Sequence, residues 1–408
     1  MHQPMLDSPI AETATPAALG FHMPAEFAPH DACWMLWPQR PDTWRYGAKP
    51  AQQAFVAVAC AIAESETVFV GVNDEQYENA RHQLPAHIRV VELSSNDAWM
   101  RDMGPTFLTH PDGRLAMVDW VFNAWGGLKG GLYFPWDKDK RIRTKVAEML
   151  GIPRFEAPVV LEGGAIHVDG EGTLITTEEC LLNANRNPEM GREGMETVLR
   201  EYLGIDKVIW LPRGCHLDET NGHVDNLCCF VAPGQVALSW CDDAADPQAA
   251  ICREALAVLE SARDAKGRPL SVHKLPQPGP LTIAEDEASG LDRLDSSHPR
   301  QPGDRMAGSY VNFYIGNSVV VMPFLDPAHD EEAKAILQGL FPDKRVIGIP
   351  AREILLGGGN IHCITQQQPR GEPALSPWGQ CGRRPSGATN SRPHNNKGHL
   401  PCRTTLRA

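Results

Sequence analysis

An α/β fold assembled from repeated units of two or three strands and one helix is what this 408-residue sequence predicts. Helix-like and strand-like segments alternate along the chain, but strands are too numerous for a strictly alternating, doubly wound sheet. LEGGAIHV (161–168), aligned with LGGGNIHC (356–363), matches at Leu, both central Gly, Ile and His, and internal similarity of this kind marks repeated modules. A chain of this length that is 42% hydrophobic and 22% charged can bury a substantial core as a globular protein.

Residues 1–20 lack the basic start and continuous apolar stretch of a secretory signal and read as a short disordered leader. AQQAFVAVACAIAE (51–64), apolar over most of its surface, reads as a buried helix, and ETVFVGV after it as a strand. A polar helical stretch over 74–83 precedes the strand RVVEL. Further helices are expected at DKRIRTKVAEML, MGREGMETVLREYL, AAICREALAVLESARDA and DEEAKAILQGLF. The β-rich runs between them are GTLITT, KVIWL, NLCCFVA, QVALSW, SVHKL, YVNFYIG, SVVVMPF and KRVIGIP. Residues 276–305, rich in Pro and acid, form a long loop, and loops of that length inside a domain are usually functional or disordered. Residues 370–408 are basic, rich in Pro and Gly and without apolar periodicity, which predicts disorder and makes Cys381 and Cys402 poor catalytic candidates. The expected organisation is a leader (1–20), one domain (21–369) and a tail (370–408).

No apolar run approaches the roughly 20 residues that span a bilayer, so no membrane partner is expected. Eleven cysteines, an odd number without paired spacing, suggest reduced thiols and a cytoplasmic location. The net charge of −13 argues against nucleic acid and suits a small cationic substrate.

Four polar clusters interrupt apolar surroundings. NDAWMRDMGPTF carries Asp102 beside Arg101; LEGGAIHVDG carries Glu162 and His167; HLDETNGHVDNL carries His223 and Asp225; and the fourth carries His362 and Cys363. Period-two spacing in an extended segment puts His223 and Asp225 on one face, whereas adjacent His362 and Cys363 would point to opposite sides of a strand. A base for Cys363 must then come from elsewhere, and His223 is the natural candidate. Taken singly, each residue has a plainer reading: Asp102 paired with Arg101, Glu162 bonded to N–H groups of the GG turn, Cys363 in the core. The joint composition, one Cys, one well-placed His and three carboxylates beside Gly or a turn, is what points to chemistry. An H-x-D pair with a Cys and a Glu could ligate zinc by residue type, but the chain has no CxxC, HExxH or second H-x-H, and neither a G-x-S-x-G elbow nor a nucleotide fingerprint is present.

A guanidinium substrate fits this set. It is planar and cationic, its N–H groups match carboxylates in fork geometry, and two carboxylates can hold it while leaving the central carbon open. Attack there needs a thiolate. A free Cys, with a pKa near about 8.5, requires a nearby cation to ionise at neutral pH, which His223 and the substrate's own charge can supply. One histidine can then act in turn as acid and base.

WMRDMGPTF, FNAWGGLKGG, LEGGAIHVDGEGT, NRNP, DETNGHVDN, YVNFY and LLGGGNIHCITQQ, in this order, make residues 23–369 similar to the agmatine deiminases (agmatine iminohydrolases) of the guanidine-modifying, or pentein, superfamily. The resemblance implies a five-bladed, pseudo-symmetric α/β propeller of ββαβ-type modules. It also implies hydrolysis of agmatine to N-carbamoylputrescine and ammonia, in putrescine biosynthesis, without metal or organic cofactor. By motif, Cys363 would be the nucleophile, His223 the general acid and then base, and Glu162 a support for guanidinium and His223. Asp102 and Asp225 would grip the guanidinium, and Trp99 and Trp125 would line the substrate channel. Residues 370–408 have no counterpart in the family. A homo-oligomer is compatible with the sequence. Three rival readings remain: a deiminase of free or peptidyl arginine, an amidinotransferase using an amine acceptor, and a non-catalytic propeller that binds a cation or a partner.

Overall fold

The computed structural model describes residues 14–373, which belong to one compact unit. Its strands form five separate sheets of three or four strands, and each sheet follows one plan: an antiparallel pair, a helix, then a strand parallel to the second of the pair. The first sheet contains β1 (His30–Leu36), β2 (Thr67–Val72) and β3 (Arg89–Glu92), with α1 (Lys49–Ala63) between β1 and β2. The second contains β4 (Thr106–Thr109), β5 (Arg114–Val121), α2 (Ile142–Leu150) and β6 (Arg154–Val160). The third contains β7 (Ile166–Val168), β8 (Thr173–Thr177), α3 (Arg192–Leu203) and β9 (Lys207–Leu211). The fourth contains β10 (Cys228–Ala232), β11 (Gln235–Trp240), α4 (Pro247–Ser261) and β12 (Ser271–Pro276). The fifth contains β13 (Tyr314–Ile315), β14 (Val319–Phe324), α5 (Asp330–Leu340) and β15 (Arg345–Pro350). The ring closes through β16 (Thr365–Pro369), which pairs antiparallel with β1 and supplies the first sheet's missing inner partner. Five such modules make the α/β propeller that the motifs imply.

The apolar pattern explains why five blades hold together. Successive side chains of a strand face opposite sides of its sheet, and in the second strand of a module the two sides belong to different apolar clusters. Leu115 and Met117 of β5 pack in one cluster, Ala116 and Val118 in the next. Leu174 and Ile175 of β8 divide in the same way, as do Val236 and Ala237 of β11. Val320 and Val321 of β14 return the alternation to the first cluster. Each sheet is thus buried on both faces, which is why runs such as VVVMPF read as continuously apolar.

Local signals set the helix ends. Asp246 caps α4 by accepting the Gln248 N–H at 2.9 Å, with Pro247 at the first helical position. Gly151 and Gly204 end α2 and α3 with left-handed backbone. The buried face of α1 (Ala51, Ala54, Phe55, Val58, Ile62) follows the three-four spacing of an amphipathic helix.

Three sequence expectations change. YVNFYIG is strand only at Tyr314–Ile315, because Tyr310–Phe313 turn to bring Asn312 inward. His223 and Asp225 do not share an extended segment, since Val224–Asn226 is a 3-10 turn that begins after His223. Cys363 lies in a turn that ends where β16 begins, so the opposite-faces argument for His362 and Cys363 does not apply. Within the expected leader, Ala17–Leu19 forms a 3-10 turn ending at Gly20, while residues 1–13 lie outside the described residues. Of the expected tail, Glu372–Pro373 pairs parallel with β5, and residues 374–408, including Cys381 and Cys402, lie outside the described residues.

Candidate active site

The blades leave their polar groups at one place. The segment entering the first strand of each of modules two to five, and the one entering β16, carries a polar residue of the site. Asp102 precedes β4, Glu162 precedes β7, His223 and Asp225 precede β10, Asn312 precedes β13, and Cys363 precedes β16. Trp99, Asp102, Trp125, His223 and Cys363 line a common cavity. Glu162 and Asp225 stand behind that lining, at 0% and 1% exposure.

Glycines make the convergence sterically feasible. A Cβ on Gly164 would lie 2.6 Å from His223 Nδ1, 2.8 Å from Asp225 Oδ2 and 3.0 Å from Asp102 Oδ1. A Cβ on Gly359 would lie 2.6 Å from the Trp99 ring and 3.1 Å from Cys363 Sγ. Gly357 would meet Trp44, and Gly358, with φ of +105°, would meet Glu219. Gly358 and Gly359 thus clear space for two walls of the pocket, and Gly357 for the Trp44 ring outside its lining.

Asp102 is held by the Gly164 N–H at 2.8 Å and the Trp125 indole N–H at 2.8 Å. Buried Arg143 donates to the Asp102 and Gly104 carbonyls and so sets the turn that presents the carboxylate. Arg101 does not pair with Asp102 but with Glu26, at 2.9 Å. Glu162 accepts from Arg186 Nε at 2.8 Å, and its Oε2 lies 3.6 Å from His223 Nε2. His223 Nδ1 lies 3.7 Å from Asp102 Oδ2. Asp225 Oδ2 accepts from His362 Nδ1 at 2.8 Å and lies 3.6 Å from Cys363 Sγ. The Asn312 amide donates to Cys363 Sγ at 3.2 Å.

These contacts set the charges. Burial opposes ionisation of Glu162, but Arg186 and His223 bring it down to about 2. Burial likewise opposes Asp225, and His362 outweighs it, so Asp225 stays below the ordinary carboxylate value. Burial raises Asp102, helped by Asp225 and Glu162 and opposed by His223. Burial alone would lower His223, but Asp102, Cys180 and Glu162 hold it well above the ordinary imidazole value. Cys363 is pushed well above the ordinary thiol range by burial, then by Asp225 and Asp102. The pocket therefore favours an imidazolium at His223 and a neutral thiol at Cys363, beside carboxylates with unfilled capacity. Glu162 Oε2 and Asp225 Oδ1 are buried without a protein hydrogen-bond partner. Stranding such groups costs about 1–3 kcal/mol each, more when charged, and a planar cation with several N–H groups can recover that cost.

Among the described residues, two trios have donor atoms within 4.8 Å of one another, as a metal ion would need: Glu26 with His167 and His362, and Glu162 with Cys180 and His223. In each, an arginine already occupies the carboxylate, Arg101 in the first and Arg186 in the second. Four supporting residues were not identified from the sequence. Glu26 binds His362 Nε2 at 2.9 Å; Arg186 ties Glu162 to the Trp125 and Thr220 carbonyls; Asn312 contacts the thiol; and Arg300 lines the cavity. Arg186 lies in NRNP and Asn312 in YVNFY, so the motifs marked the segments but not the partners.

The family model described as Porphyromonas-type peptidyl-arginine deiminase matches residues 22–369. The agmatine deiminase of Ectopseudomonas mendocina is 59% identical over 359 residues, covering 88% of this chain and 98% of that protein. The agmatine deiminase of Pseudomonas aeruginosa strain UCBPP-PA14 is 58% identical over 359 residues, with the same coverage. Among solved structures, the agmatine deiminase of Enterococcus faecalis superposes with a TM-score of 0.86 at 46% identity, over 88% of this chain and 98% of that one.

Proposed function

This chain belongs to the Porphyromonas-type peptidyl-arginine deiminase family and, within it, to the agmatine deiminases of the pentein superfamily, and on that premise we propose how its site works. The reaction is hydrolysis of agmatine to N-carbamoylputrescine and ammonia, a step toward putrescine. The observation that carries the mechanism is the setting of Cys363: two buried carboxylates, Asp102 and Asp225, oppose its ionisation, and Asp102 lies 3.7 Å from His223 Nδ1.

Agmatine's guanidinium enters between Asp102 and Asp225. Its positive charge cancels the field of the two carboxylates that hold the Cys363 proton, so binding lets that proton pass to solvent water and leaves the thiolate beside a His223 that is already protonated. The thiolate attacks the guanidinium carbon to give a neutral tetrahedral adduct. The His223 imidazolium, held charged by Asp102 and Glu162, protonates one amino group, which leaves as ammonia. An amidino-cysteine cation remains on Cys363. Neutral His223 then takes a proton from water as the water's oxygen bonds to the same carbon. Collapse of the second tetrahedral adduct forms the urea carbonyl, breaks the C–S bond and restores Cys363. These steps use only this chain's groups and water. Trp99 and Trp125 flank the path. We assign the work to a single catalytic domain over 21–369, acting in the cytoplasm. The nine described cysteines are all unpaired, as reduced thiols would be, and no helix of the described residues is long and apolar enough to cross a membrane.

The test is purified protein with agmatine and, separately, arginine, following ammonia and the ureido product. Turnover of agmatine is expected, with Asp102→Asn and Asp225→Asn each raising KM at least about tenfold by removing a charge-assisted pair. Turnover of arginine alone would keep the chemistry and reject the substrate, and unchanged KM in both variants would reject the clamp.

A further inference from the structure

The outer half of the cavity holds a pair that the reaction does not use. Arg300 comes from the long loop between β12 and β13, which crosses the cavity mouth. The Phe134 N–H donates to the Ser296 carbonyl at 2.9 Å, and the His298 N–H to Leu132 at 2.7 Å. The Arg300 side chain, 7% exposed, donates from one nitrogen to Glu219 Oε2 at 2.7 Å and to the Gly357 carbonyl at 2.7 Å. Both Glu219 and Arg300 line the cavity that contains Cys363. Gly358 makes this approach feasible, since a Cβ there would lie 2.4 Å from Glu219 Oε2 and 2.8 Å from Arg300. Glu219 therefore borders Gly358 while Cys363 borders Gly359, so consecutive residues of one loop adjoin the two groups.

Asp97, a buried carboxylate that also lines this cavity, has little capacity left. Asp97 already accepts from the Trp44 and Trp99 indoles, the Thr43 hydroxyl and the Ala98 N–H. Glu219 takes its described hydrogen bond on Oε2 alone and is partly open to solvent, at 23% side-chain exposure. Arg300 is the one Lys or Arg lining this cavity among the described residues. Agmatine ends in an ammonium alone, whereas arginine carries an ammonium and a carboxylate on the same carbon, so the groups at this end decide between them.

Resting on the reading of the site as a guanidinium hydrolase, we propose that Glu219 and Arg300 form its chain-end selector. Glu219 takes the terminal ammonium on its free oxygen. Arg300, held by Glu219 and the Gly357 carbonyl, is withheld from an α-carboxylate. To bind arginine, Arg300 would have to leave both acceptors and strand Glu219 beside the incoming carboxylate, and a site with a polar group left unpaired discriminates strongly. Neutralising Glu219 removes both effects at once: the ammonium loses its partner and Arg300 becomes free for a carboxylate.

The test is kcat/KM for agmatine and for arginine in the full-length chain and its variants, a ratio that is independent of the fraction of active protein. Glu219→Gln is expected to lower kcat/KM for agmatine at least about tenfold, chiefly through KM, and to narrow the agmatine-to-arginine ratio by more than that factor. Glu219→Asp, which keeps the charge, is expected to hold the ratio near that of the unsubstituted chain. Adding Arg300→Gln to Glu219→Gln is expected to abolish the gain on arginine. An unchanged ratio in Glu219→Gln, or a gain on arginine that survives loss of Arg300, would overturn the selector. If the unsubstituted chain turns over neither substrate, the proposed function itself fails; agmatine turnover with an unmoved ratio rejects only this inference.

Discussion

LEGGAIHV and LGGGNIHC occupy equivalent places, each leading into the first strand of a sheet, yet only one presents a cysteine to the cavity. Their shared residues do the same physical work twice. Gly164 and Gly359 are where the chain passes closest to the site, and neither tolerates a Cβ without a contact near 2.6 Å. His167 and His362 both reach Glu26, at 3.4 and 2.9 Å, with ring centroids 6.1 Å apart. Their other nitrogens differ. His167 Nδ1 accepts the Phe230 N–H, whereas His362 Nδ1 faces Asp225 at 2.8 Å. With both nitrogens donating to carboxylates, His362 is raised above its ordinary value despite burial and the repulsion of Arg101. Two unmatched positions distinguish the copies: Glu162 aligns with Gly357, and Val168 with Cys363. The repeat supplies a scaffold, and the departures from it supply the charge and the thiol.

That comparison can be broken at three points. Adding a methyl at either matched glycine gives the largest expected effect, because a displacement of about 1 Å at a reacting group costs about 10²-fold. Gly359→Ala pushes on Cys363 and Trp99, and Gly164→Ala on His223, Asp225 and Asp102. Both should lose at least that factor in kcat while circular dichroism shows the fold retained, and near-normal rates from either would separate the glycines from the site.

Glu162→Gln comes next and is read best as a pH profile. In the proposed mechanism His223 works as an acid, so activity is present below its pKa and lost above it. Glu162 is one of the groups that raise that pKa, and removing its charge should move the alkaline limb of the kcat profile to lower pH. A limb that stays in place would assign the support of His223 to Asp102 and Cys180. The smallest effect is expected at Val168, the counterpart of Cys363, where Val168→Ala should change kcat/KM by less than about threefold and act mainly on stability, at about 0.8 kcal/mol per buried methylene lost.

Much of the scaffold was legible in sequence because it depends on local periodicity. Segments such as 51–64 and SVVVMPF repeat at helical or strand spacing, and the structure forms them within a few residues of the expected bounds. The inner turns were less legible. HVDN and NIHC look extended by composition, but Gly and Asn bend them, so arguments from strand faces assigned His223, Asp225 and His362 by the wrong geometry. The supporting partners had no local signal. Glu26 and His362 are 336 residues apart, Asn312 and Cys363 are 51 apart, and such pairs are created only when the ring closes. Arg300 sat in a stretch identified only as a long loop, and its relation to Glu219, 81 residues away, depends on how that loop crosses the cavity.

The most direct test of the account is to quench the protein with acid during turnover of agmatine and locate the covalent adduct by peptide mass spectrometry. The account predicts an amidino group on the peptide containing Cys363, formed during turnover and absent in Cys363→Ala, which should also lose at least about 10⁴-fold in kcat. Turnover that persists in Cys363→Ala, or an adduct that maps to Cys180 instead, would contradict it.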